Sequence, residues 1–302
     1  VASREAATRR RVAEGLGSVL MLQGHYAEAE QALATAKREA AHAPPAVRAR
    51  IEGKLGELAF KRGDMSAART AIEDALHFMR RTVPQSQFAL VLWLLFEIGV
   101  QVLHTWFPKT LVGRRSLDGA DDEFVVIRLY SRLAYVYWFL SGKLRCLWTH
   151  LRNLNLSERY APTSELAQAY AEHGPVISLV PNFPRAFRYV ERSLEIRREL
   201  GDVWGQGPLL HYYGIVLYAA SQFSRCIEKC QQAIDLLDRT GDFWEVNMAR
   251  YQVAASFYRL GDLQRAREEA QKMYQSGLEL GDVQASGLAV DILSKASCGK
   301  VP

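Results

Sequence analysis

The chain has 302 residues, 49% of them hydrophobic and 24% charged, with 10 prolines and 21 glycines; this is the composition of a folded protein and excludes disorder and low-complexity structure away from the ends. Lys and Arg number 38 against 33 Asp and Glu, a net charge of +5, and the doublets at 80–81 and 114–115 are scattered rather than gathered, so no nucleic-acid partner is expected. Cys146, Cys226, Cys230 and Cys298 show no CxxC pair, and no signal peptide opens the chain, so reduced thiols and a cytoplasmic location are expected.

In chain order, the first element is already a repeat, which suggests a fragment of something longer. "LGSVLMLQGHYAEAEQALATA" (16–36) and "LGELAFKRGDMSAARTAIEDA" (55–75) place Gly17 and Ala29 thirty-nine residues before Gly56 and Ala68. Apolar residues three and four apart on either side of a short turn predict a helical hairpin in each.

"FALVLWLLFEIGVQVLHTWF" (88–107) follows and is the most apolar stretch. Its length suits a bilayer crossing, but Glu97, Gln101 and His104 interrupt it; a helix buried between neighbours is expected and membrane contact is disfavoured. At 108–124 the repeat signal fails, so 88–122 is expected to be a degenerate unit with an irregular loop.

Beyond it an interval of forty residues takes over. Ala134 and Cys146, Gly174 and Ala186, Gly214 and Cys226, and Ala254 and Ala266 occupy matched places, where small side chains let the first helix of a hairpin press on the second. Gly201-Asp202, Gly241-Asp242 and Gly281-Asp282 recur between hairpins: the glycine ends one helix in the left-handed conformation and the aspartate caps the next. Thr163 or Ser164 is a cap after Pro162, and Pro184 suits the first turn of a helix. Trp204 and Trp244 are read as hydrophobic staples, with groove-rim anchoring as the alternative. Residues 1–302 are expected to form a single repeat domain of about seven hairpins plus a terminal helix.

The pattern resembles the tetratricopeptide repeat. Leu16, Gly17, Gly24, Tyr26, Ala29 and Ala36 fall at the family's places, as do Leu55, Gly56, Gly63, Ala68 and Ala75; the longer period and the lack of a late proline are departures. The longer units look like the regulatory segments of large bacterial signalling proteins of kinase or nucleotide-switch type. The resemblance implies an all-α, right-handed α-solenoid with a period near 40 residues, whose first helices line a concave groove. Carrying over the groove register marks Arg50, Glu57, Arg128, Tyr135, Trp138, His211, Tyr218, Tyr251, Tyr258 and Arg259 as candidates for partner contact. Rings beside guanidinium groups suit an extended peptide; packing between hairpins is the alternative for Tyr135, Trp138 and Tyr218, and solvation for Arg128 and Arg259.

Chemistry-bearing motifs are missing from the sequence. There is no GxxxxGK[ST] loop and no HRD or DFG signature. Cys226 and Cys230 match Ala266 and Ala270 of the next unit, which points to core packing rather than a metal site. No catalytic, cofactor-binding or metal residue is therefore assigned, and no cofactor is expected. The expected function is a noncatalytic protein-interaction or sensor module that binds a protein, peptide, adjoining domain or small effector. A self-assembly scaffold is the alternative, and an enzyme with its active site in the groove ranks below both.

Overall fold

The structure is a computed structural model that describes residues 2–140 and 142–296; Cys298 lies outside the described residues. Among these, fifteen α-helices follow one another: α1 (Ala2–Leu22), α2 (Tyr26–Glu39), α3 (Pro45–Lys61), α4 (Met65–Phe78), α5 (Gln87–Trp106), α6 (Pro108–Leu111), α7 (Asp121–Leu140), α8 (Lys143–Ser157), α9 (Ser164–Ser178), α10 (Phe183–Glu199), α11 (Val203–Ala219), α12 (Phe223–Thr240), α13 (Phe243–Arg259), α14 (Leu263–Leu280) and α15 (Val283–Ala296). They fall into two compact units. The first holds the residues up to Ala169 except Leu22–Gly24, and the second holds those three with the residues from Tyr170 onward.

The repeated small residues do the packing assigned to them. A methyl group on Gly17 would lie 2.7 Å from Leu33, and one on Gly56 2.6 Å from Ile72. In the second unit one on Gly174 would lie 2.5 Å from Val190, and one on Gly214 would strike the Cys230 sulfur. Each of these glycines therefore meets the matched position of its partner helix, and Ala29, Ala68, Ala186 and Cys226 beside them are fully buried, as are Ala254 and Ala266 of the next hairpin. Cys226 and Cys230 are free, buried thiols, with the Ser256 hydroxyl 3.2 Å from the Cys226 sulfur.

Helix ends follow the sequence with one exception. Gly241 and Gly281 end α12 and α14 at φ of 75° and 66°, and Asp64, Asp202, Asp262 and Asp282 accept the backbone N–H three residues on. Asp242 is buried and does not make that cap bond. Thr163 caps α9 through the Leu166 N–H at 3.2 Å, and Pro184 lies in the first turn of α10.

The stretch at 88–122 differs from the expectation of a helix buried between neighbours. α7 packs directly on α3 and α4, while α5 lies against α8, so α5 is an addition to the back of a hairpin. Its buried residues are Leu90, Leu94, Glu97, Gln101 and His104, whereas Phe88, Trp93, Phe96 and Trp106 are exposed. The polar residues at 97, 101 and 104 therefore belong to the stripe the helix buries and do not interrupt it. Glu97 accepts from Arg152 at 2.8 Å and from the Asn155 amide at 2.7 Å, and His104 lies 2.7 Å from Glu158. The loop after α6 is tied to the end of α8 by Gly113 N–H to Glu158 O and Arg115 N–H to Arg159 O, both 2.8 Å.

Candidate functional site

The first helices of the hairpins carry a row of charged and aromatic residues, and in the first unit most of the row is spent joining helix to helix. Arg50 on α3 donates two bonds, of 2.7 and 2.9 Å, to the Glu14 carboxylate on α1, and Lys54 adds a third contact at 3.0 Å. Burial pushes the Glu14 carboxyl up, but the Arg50 hydrogen bond and the Lys54 charge outweigh it and hold the group below its ordinary range. Glu57 on α3 takes Arg132 of α7 at 3.4 Å, and Arg128 on α7 takes Glu165 of α9 at 2.5 Å. The ladder α1–α3–α7–α9 thus steps over α5.

Tyr135 is half-buried with its ring edge-on to Phe60 at 6.2 Å, the geometry of packing between hairpins. Trp138, near the end of α7, is 47% exposed. Of the two tryptophans read as staples, Trp244 is buried and Trp204 is 40% exposed.

In the second unit the row is richer in aromatic groups. His211 on α11 is buried, stacks on Tyr212 at 5.7 Å and places Nδ1 3.6 Å from Glu245 of α13. Seven residues on, the Tyr218 hydroxyl accepts from Arg259 Nε at 3.0 Å, which joins α11 to α13 again. Arg259 is itself exposed. Tyr258 and Tyr251 on α13 are half-buried. Burial raises the Tyr251 hydroxyl, and the Asp291 carboxylate on α15 adds to this while Lys295 opposes it. Lys295 and Asp291 pair at 2.7 Å.

Four sequence-marked residues, Tyr218, Tyr251, Tyr258 and Arg259, are therefore brought together with Asp291 and Lys295; His211 holds the same register but is buried beside Glu245. Asp291 and Lys295 were missed, although the forty-residue register points to Asp291: it continues the column that starts at His211 and Tyr251. Glu14, Glu165 and Glu245 were missed as well. They sit one repeat away from their partners, where a spacing within one repeat cannot find them. Among the described residues no group of three or more His, Cys, Asp or Glu side chains is arranged to hold a metal.

No protein-family model matches the sequence, and no curated protein matches it. Solved structures do. The chain is similar to a Signal Transduction ATPase with Numerous Domains (STAND) protein with a tetratricopeptide repeat sensor from Pyrococcus horikoshii, at 10% identity, 96% coverage of this chain and a TM-score of 0.47. It spans 44% of that protein's length. BtubC from P. vanneervenii matches at 16% identity over 93% of this chain and 94% of its own, with a TM-score of 0.46. A Rap protein complexed with Competence and Sporulation Factor matches at 10% identity over 97% and 88%, with a TM-score of 0.50. At these identities the likeness is one of fold. Together with the repeated hairpins it makes the chain an all-α solenoid of tetratricopeptide-like helical repeats.

Proposed function

We propose that this chain is a noncatalytic interaction or sensor module whose front strip in the second unit receives an extended peptide or a segment of a partner protein. One observation carries the reading: His211, Tyr251 and Asp291 hold one register on three successive first helices, with Tyr218 and Arg259 joined beside them. Half-buried rings give contact area at small entropic cost, and an exposed guanidinium held by a tyrosine hydroxyl is oriented for a carboxylate. A peptide with an acidic side chain or a free C-terminus fits that chemistry. A Rap protein to which this chain is similar in fold is complexed with Competence and Sporulation Factor, which supports the reading. A place in the cytoplasm, as the regulatory part of a larger signalling protein, accords with this role.

The test begins with peptides selected from a random displayed library on the wild-type chain. Replacing Tyr251 and Arg259 together by Ala is expected to weaken the selected peptides by about a hundredfold in calorimetric titration, with the helical fold retained in circular dichroism. Equal affinity in the double variant would remove the strip from consideration.

A further inference from the structure

α5 is inside out for a helix of a water-soluble fold. Glu97 and His104 are turned onto Arg152, Asn155 and Glu158, Gln101 is buried, and only 28% of the helix's most apolar eighteen residues is buried. At 100° per residue, the exposed apolar side chains between Phe88 and Trp106 cover roughly 220° of the circumference. The one acidic residue between Arg80 and Leu117 is Glu97, which is 1% exposed and paired with Arg152. Exposed basic residues flank the helix on both sides, Arg80 before it and Lys109 and Arg114 after it. Arg115 is paired with Glu123 at 3.0 Å, and the acidic run begins only at Asp118.

We propose that α5 seats the protein on an anionic lipid membrane as an interfacial helix, with its outward side in the boundary between headgroups and acyl chains. A protein partner covers a stripe of a helix, whereas lipid solvates an arc as broad as this one. Phe88 and Trp106, 75% and 71% exposed at opposite ends, are the aromatic anchors an interface favours, and the unopposed Arg80, Lys109 and Arg114 complement anionic headgroups. The helix lies on the membrane and does not span it. Leaving α8 would strip Glu97 and His104 of Arg152, Asn155 and Glu158 and carry them unpaired into hydrocarbon. The sequence expectation against membrane contact rested on those residues being interruptions, and the structure turns them inward.

The whole chain, in detergent-free buffer, is sedimented with phosphatidylcholine vesicles with and without phosphatidylserine. Binding is expected to the phosphatidylserine vesicles and to fall as salt rises. Exchanging Phe88, Phe96 and Trp106 for Ser should lower the partition coefficient at least about tenfold while the melting temperature holds, because these side chains are already exposed. Lys109→Glu with Arg114→Glu should remove only the phosphatidylserine-dependent part. A wild-type chain that sediments with neither vesicle overturns the proposal. So does a concentration-dependent dimer in analytical ultracentrifugation that the same serine substitutions abolish, which would give this side to a second copy of the chain.

Discussion

His150, on α8, is 2% exposed, and burial lowers its pKa from 6.5 to about 4. Between those values the unfolded chain takes up a proton that the folded chain refuses. Stability therefore falls as pH drops through that window, by about 3 kcal/mol once the pH is below both values. The urea midpoint of the wild type should decline across it, and that of His150→Gln should lack this part of the decline. Parallel curves for the two proteins would mean that the imidazole is protonated inside the fold.

Residues with the same sequence context differ in what they hold. Asp202 and Asp262 both follow a glycine and both cap a helix, but Asp202 also pairs with Arg197 at 2.5 Å, and Arg197 is 2% exposed. Asp262→Ala is expected to cost about 1 kcal/mol, the loss of a cap. Asp202→Ala should cost about 3 kcal/mol, because it also takes the carboxylate away from a buried guanidinium. Equal shifts in denaturant unfolding would show that the Arg197 pair adds nothing. Sequence alone could not separate the two, since Arg197 reaches Asp202 only once α10 ends and the chain turns.

Among the elements, the hairpins were legible because a hairpin repeats its own internal contact. Gly17 against Leu33 and Gly56 against Ile72 are one contact made twice, and the interval between them records it. α5 was not legible for the opposite reason. Hydropathy along a helix says how apolar it is but not on which side its neighbour lies, and three polar residues at 97, 101 and 104 read the same as interruptions or as a buried stripe. The partners that decide the matter, Arg152, Asn155 and Glu158, lie more than fifty residues away in sequence. The front row is an intermediate case. Register placed His211, Tyr218, Tyr251, Tyr258 and Arg259 on one strip, yet the acids that engage Arg50, Arg128 and His211 belong to adjacent repeats and fell outside any single-repeat pattern.

At the scale of the molecule, each compact unit is a stack in which first helices are cross-linked by charge or hydrogen bonds. In the first unit that linkage engages Arg50, Glu57 and Arg128 with Glu14, Arg132 and Glu165. In the second unit the strip keeps half-buried tyrosines and an exposed Arg259 that donates to the Tyr218 hydroxyl rather than to a carboxylate, and this contrast underlies the proposal that a peptide binds there. Hydrogen–deuterium exchange of the chain with and without a selected peptide is the most direct test. Protection concentrated in 211–218 and 251–259, reaching α15 at Asp291, is the result the assignment requires. Protection confined to the residues before Ala169, or to the second helices α12 and α14, would contradict it.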